Sequence, residues 1–217
     1  MIIEGRELSL TYDINLEEET HALSNVNITL ETHGMTGLMG PSGSGKSSLL
    51  YILSGLKKPT SGTVYFDDID IESLQPAEMD SLRRNKFGFI FQKHFLIGYL
   101  TALDNVLVGL NRHDKNPIAK AMLLLEKFKI AHLAYKKPYQ LSVGQRQRIA
   151  VVRALVNDPS VIFADEPTAS LDHRNAMELM DALEEFKEQA SILIVTHDRT
   201  ILDNADRIIE MWDGKIV

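Results

Sequence analysis

Eight consecutive residues, Gly40-Pro41-Ser42-Gly43-Ser44-Gly45-Lys46-Ser47, have the make-up of a loop that wraps a phosphate chain. Its glycines let the backbone curl until successive N–H groups converge on an anion. Lys46 can reach the outer phosphates, and the Ser47 hydroxyl can ligate Mg²⁺. A second group, Asp165-Glu166, closes the apolar run Val161-Ile162-Phe163-Ala164. Read alone, such a pair could equally cap a helix. Beside a phosphate loop, Asp165 suits a Mg²⁺ partner acting through water and Glu166 suits the group that polarises an attacking water. A third group is Leu141-Ser142-Val143-Gly144-Gln145, followed by Arg146-Gln147-Arg148. Ser142 is a good helix N-cap and Gly144 permits close approach, so a helix from about Val143 to Val156 would aim its positive end at an anion.

The elements that must carry these groups are legible as periodicities. Met35 to Met39 is a short apolar strand running into the glycine-rich loop, and Ser47 to Leu53 is a helix ended by Gly55. Ser160 to Ala164 and Ile192 to Val195 are β-branched runs separated by the helical spacing of Met177, Met180, Leu183 and Phe186. Buried parallel strands alternating with helices follow, with ligands expected at the carboxyl ends of the strands. Leu8 to Asp13 and Val26 to Leu30 are β-rich, with Glu17-Glu18-Glu19 as a solvated hairpin tip. Pro117 opens an amphipathic helix over Ile118 to Phe128, and Arg207 to Met211 pairs with Lys215 to Val217 around Asp213-Gly214. The expected fold is α/β: a phosphate-loop core with a mainly parallel sheet, an N-terminal antiparallel β piece, and an inserted helical subdomain over about 76–155. With no internal repeat, the whole of 1–217 reads as one domain.

Composition narrows the function. A chain of 217 residues that is 44% hydrophobic can bury a sizeable core. Its net charge of -7 offers no basic footprint for nucleic acid, so no nucleic-acid partner is expected. There is no cysteine, which removes thiolate metal sites and leaves the redox compartment open. Met1 to Gly5 lacks the features of a signal peptide and no apolar run is long enough to span a bilayer, which predicts a cytoplasmic protein.

Taken together, the loop at Gly40, the strand ending in Asp165-Glu166 and the Leu141-Ser142-Val143-Gly144-Gln145 segment resemble the ATP-binding cassettes of ABC systems across essentially the whole chain. The resemblance implies ATP and Mg²⁺ as ligands and ATP hydrolysis as the activity. Tyr12 stands where an aromatic ring stacks on adenine. Gln92, after Phe89-Ile90-Phe91, matches the glutamine that senses Mg²⁺ and the γ-phosphate, so Ser47, Gln92 and Asp165 form the implied metal set. Ser170-Leu171-Asp172 matches the loop that meets a second subunit, and His197 matches the histidine that contacts the γ-phosphate. Lys46, Glu166 and His197 are the implied catalytic residues. Ser142, Gly144 and Gln145 would face ATP held by a second copy in a head-to-tail dimer, whereas Gly40 to Ser48 would hold the chain's own. Two positions depart from the commonest pattern: Ser48 replaces threonine, and Val143 replaces glycine and is bulky enough to crowd the partner's triphosphate.

The segment from Gln92 through Leu100-Thr101-Ala102-Leu103-Asp104-Asn105-Val106 looks like the lipoprotein, macrolide and glycolipid exporter group, which also includes cassettes of a cell-division complex. This implies a separate integral membrane permease and a peripheral position on the inner face of the membrane. Phe95, Leu96, Ile97, Tyr99 and Leu100 read either as a groove for that subunit or as core of the helical subdomain. Other classes fit less well. DNA-repair cassettes insert long heptad coiled coils absent here, translation-associated chains carry two cassettes, and the one Asn-Lys pair, Asn85-Lys86, continues into Phe87-Gly88 without the aspartate of a GTPase.

Overall fold

The computed structural model describes residues 1–15, 18–110 and 116–217. The described residues build two sheets. The first is antiparallel in the order β2-β1-β4-β5, from β1 (Ile3–Asn15), β2 (Glu18–Leu30), β4 (Ser61–Phe66) and β5 (Ile69–Asp70). The hairpin tip expected at Glu17 lies outside the described residues, while Glu18 and Glu19 begin β2.

The second sheet has the order β10-β9-β3-β8-β7-β6, from β3 (Gly34–Met39), β6 (Phe87–Ile90), β7 (Val161–Asp165), β8 (Ser191–Thr196), β9 (Arg207–Trp212) and β10 (Lys215–Ile216). Only its β9-β10 edge is antiparallel. Strands covered on both faces are mostly apolar, and β7 is buried at all five positions, with Asp165 as its one polar residue. Alternation then divides the load. Ile162, Ala164, Ile192 and Ile194 enter the core shared with the helices after β6, whereas Val161, Phe163, Leu193 and Val195 enter the core shared with the antiparallel sheet. Each of these valine, leucine, isoleucine and phenylalanine side chains contributes on the order of 1.5–3 kcal/mol of burial.

Helices start where capping chemistry allows. Gly45 opens α1 (Lys46–Leu53) in the left-handed conformation. Pro76 stands in the first turn of α2 (Pro76–Lys86), whose Gln75 N–H donates to Glu78 Oε2 at 2.8 Å. Thr101 caps α3 (Ala102–Leu107) and Asn116 caps α4 (Pro117–Lys127). Ser142 caps α5 (Val143–Leu155) and Asp172 caps α6 (His173–Glu184). The span 76–155 therefore holds α2 to α5, and also β6, which belongs to the core sheet. Gln92 lies two residues past the end of β6, at the joint between the sheet and the helices α3 to α5.

Candidate functional site

The phosphate loop leaves the carboxyl end of β3 and is shaped by its neighbours. Gly40 has φ 151°, and a Cβ there would lie 2.1 Å from the Met211 carbonyl oxygen of β9. Gly45 has φ 98°, and its Cβ would lie 2.3 Å from the Ala22 carbonyl oxygen of β2. Both positions therefore require glycine on conformation and on space. The β9-β10 turn adds a tether, with the Gly214 N–H donating to the Ser44 carbonyl at 3.1 Å.

Lys46 is buried to 7% exposure, and its Nζ donates to the carbonyls of Gly40 and Pro41 at 2.8 Å each. Burial pulls its pKa below the usual lysine value, and the nearby Glu166 and Asp165 carboxylates oppose that shift. A cation held across an open anion loop at the positive end of α1 is a receptor for negative charge.

β7 delivers Asp165 and Glu166 to the same place. Asp165 is buried and accepts hydrogen bonds from Ser47 Oγ on one oxygen and Tyr51 Oη on the other, each at 2.8 Å. Desolvation, then the bond to Asp165, raises the Tyr51 phenol to about 12. Glu166 adopts φ 49°, rare for a side chain with a Cβ, a strain of the kind that collects at functional sites. Its Oε1 lies 2.8 Å from His197 Nδ1, and its Oε2 accepts from Thr196 Oγ1 at 3.4 Å. Among the described residues no cluster of three or more His, Cys, Asp or Glu side chains could cage a metal. One carboxylate and one hydroxyl at the lip of an anion loop nonetheless suit Mg²⁺, which keeps its waters and takes most other ligands from substrate phosphates.

Lys46, Ser47, Glu166 and His197 open onto one cleft of about 690 Å³, lined also by Tyr12 and Gln92, while Asp165 reaches it through its bond to Ser47. Tyr12 closes one end, its hydroxyl 3.2 Å from Ser48 Oγ and its ring covered by Lys57 Nζ at 3.7 Å from the centroid. Gly43, with φ 81° and nothing near its missing side chain, lies open to the cleft.

Ser142, Gly144, Gln145 and Asp172 are not part of that cleft. They line a second recess of about 520 Å³ with Val143 and Leu171. Ser142 and Gln145 form a reciprocal cap, the Ser142 N–H donating to Gln145 Oε1 at 2.9 Å and the Gln145 N–H to Ser142 Oγ at 3.3 Å. Asp172 accepts from the Asn175 N–H at 3.0 Å, a bond that, with the Asn175 side-chain amide, holds its carboxyl below the usual range. Val143, 40% exposed, stands in the first turn of α5.

Several residues at these sites escape sequence reasoning. Tyr51 could have been found from its i+4 spacing to Ser47 on α1. Thr196 and Gln147 could not, because their bonds to Glu166 and to the Pro167 carbonyl cross between elements far apart in sequence. Asn105, wholly buried, organises the segment after Gln92 by accepting from the Ile97 N–H at 2.7 Å and donating to the Ile97 and Thr101 carbonyls.

A mainly parallel sheet that presents a glycine loop, a buried lysine and a strand-end glutamate to one cleft, with the preceding aspartate bonded to the loop serine, defines a phosphate-loop NTPase. Residues 23–169 match the ABC transporter family, and the chain belongs to that family, as an ATP-binding cassette. It is 40% identical over 224 residues to the ABC transporter ATP-binding protein MJ0796 of Methanocaldococcus jannaschii, covering 99% of this chain and 95% of that one. It is 39% identical to the lipoprotein-releasing system ATP-binding protein LolD of Aquifex aeolicus, over 90% of this chain and 89% of LolD. The macrolide export ATP-binding/permease protein MacB of Hyphomonas neptunium matches at 39% over all of this chain but only 34% of MacB. The fold superposes on the dimeric post-hydrolysis MJ0796 cassette bound to ADP and Pi with a TM-score of 0.92 and 37% identity, covering 99% of this chain and 96% of that one.

Proposed function

We propose that this cassette binds and hydrolyses ATP with Mg²⁺, closes head to tail on a second copy of itself, and powers a separate integral membrane permease of the lipoprotein or macrolide exporter type. The observation that carries the reading is the division of the groups above: one recess sets Lys46, Ser47 and Glu166 around the phosphate loop, and a separate recess sets the capped N-terminus of α5 beside Lys129, Arg148 and Asp172. Each nucleotide is then held by Gly40 to Ser48 of one copy and covered by Ser142, Gly144, Gln145 and Asp172 of the other. Tyr12 stacks on adenine, and Lys46 holds the outer phosphates. Ser47, Asp165 and Gln92 serve Mg²⁺, which neutralises phosphate charge when bound. Glu166 polarises the attacking water, and His197 meets the γ-phosphate while its contact with Glu166 orients both groups.

No described helix is long and apolar enough to cross a membrane. The membrane subunit is therefore sought on the surface beyond Gln92. Phe95 and Tyr99 are 64% and 77% exposed, while Leu96 packs into the core. Phe95, edge-on to Phe91 with ring centroids 5.6 Å apart, adjoins a groove of about 640 Å³ lined by Phe87, Phe89, Phe91 and Val108 together with Arg83, Arg84 and Arg153. This split favours docking for the exposed pair and packing for Leu96. We assign the chain to the cytoplasmic face of the membrane, with the helices of 76–155 moving against the sheet as Gln92 registers the γ-phosphate.

Light scattering of Glu166→Gln at saturating MgATP tests the shared site. A dimer that reverts to monomer when ATP is removed is expected, and a monomer throughout would overturn the reading.

A further inference from the structure

Asp165 must keep one oxygen turned toward the phosphate loop, yet a carboxylate rotates readily about its last bond. Ser47 alone could follow it. Residues 47 and 51 are four apart on α1, so they share a face, and side chains on a helix lean toward its N-terminus. This brings the Tyr51 phenol alongside the Ser47 hydroxyl, and each takes a different oxygen of Asp165 at 2.8 Å. The phenol is itself fixed. Its ring packs against the core between α1 and the antiparallel sheet. Its backbone carbonyl accepts the N–H groups of Leu56 at 2.9 Å and Lys57 at 3.0 Å.

We propose that Tyr51 is a positioning residue for the Mg²⁺ site, pinning Asp165 Oδ2 so that Oδ1 stays turned to Ser47 and the bound metal. This rests on the nucleotide reading above. A phenol suits the task because it is a neutral donor. It orients the carboxylate without cancelling the negative charge that the cation needs, as an arginine or lysine in its place would. Partners of this kind behind a metal ligand typically change metal affinity by about 10–100-fold when removed.

The test is Tyr51→Phe in the full chain, with adenylyl imidodiphosphate as the nucleotide, titrated by calorimetry in EDTA and at increasing Mg²⁺, and by electron paramagnetic resonance with Mn²⁺. Affinity for the analogue in EDTA is expected to stay within about twofold of wild type, while the Mg²⁺ and Mn²⁺ concentrations needed for half-maximal effect rise about 10–100-fold. Equal metal midpoints in the two proteins would overturn the inference and leave the nucleotide reading standing. A wild-type chain that binds no analogue under either condition would overturn both. Should the variant fail to fold, wild type labelled with tyrosine carrying ¹³C at the hydroxyl-bearing ring carbon decides instead. Mg²⁺ added to the analogue-loaded protein is expected to shift the Tyr51 signal, and an unmoved signal would overturn the proposal.

Discussion

The phosphate cleft and the recess at the start of α5 both lie at helix N-termini, yet they are built differently. In the cleft, side chains from distant elements tie one another down, Asp165 to Ser47 and Tyr51 and Glu166 to His197, while Lys46 ties back to the carbonyls of its own loop. At the α5 recess the two helix caps are local, Ser142 with Gln145 and Asp172 with Asn175, each spanning three residues, and among the described residues the long-range ties run through Arg148 alone, to Asn175, Glu178 and the Phe128 carbonyl. The first site is preorganised by the tertiary fold and needs only its ligand. The second is satisfied as a helix cap within the chain itself, and the proposed dimer would lay another surface against it. Preorganisation of this sort is what makes electrostatic stabilisation effective. The contrast predicts severe, chemistry-specific losses from changes in the cleft and assembly-specific losses from changes in the recess.

The sharpest break is expected from Glu166→Gln, which keeps the size of the side chain and removes the base. Steady-state phosphate release should fall by about 10²–10⁴-fold, the usual contribution of a positioned general base, with nucleotide affinity retained. Turnover within tenfold of wild type would remove Glu166 from its assigned role.

Lys46→Ala should act on binding. Hydrogen bonds to charged groups contribute about 1.5–3 kcal/mol, so a loss of roughly 10–150-fold in ATP affinity is expected by calorimetry. Unchanged affinity would mean that the backbone N–H groups and the α1 dipole suffice.

Ser142→Ala tests the other region. Loss of the cap should cost about 1 kcal/mol in thermal or urea unfolding. ATP affinity of the monomer should be unaltered, and the ATP-dependent dimer in the Glu166→Gln background should weaken about tenfold, the effect of one charge-assisted hydrogen bond. Should monomer affinity fall instead, the two recesses would not be independent.

Phe95→Asp and Tyr99→Asp should do least to the isolated cassette. Both side chains are exposed, so stability should change by no more than about 0.5 kcal/mol, with ATP binding intact and co-purification with the membrane subunit lost. Unfolding of either variant would instead mark these rings as core.

Much of this was open to reading from residues alone, for a physical reason. The loop Gly40 to Ser47 and the run Val161 to Glu166 work through backbone conformation and strand burial, which are set by a few adjacent side chains and survive in any context. The strands β3, β7 and β8, the helices α1, α4, α5 and α6 and the closing hairpin likewise follow from period and capping. Several short or polar elements were not legible: β4 and α2 carry few buried side chains, and β6 is only four residues long. Nor did periodicity reveal that the segment after Gln92 divides, Phe95 outward and Leu96 inward, with Asn105 folding it from within. Strand order decided the rest. Placing β3 beside β8, and β8 beside β7, brings residues near 40, 165 and 197 to one sheet edge. Asp165 thereby meets Ser47 across 118 residues and Tyr51 across 114. Local chemistry is written in neighbouring side chains, but the pairing of a carboxylate with its donors depends on which strands share hydrogen bonds, and that is set by burial of the whole sheet at once.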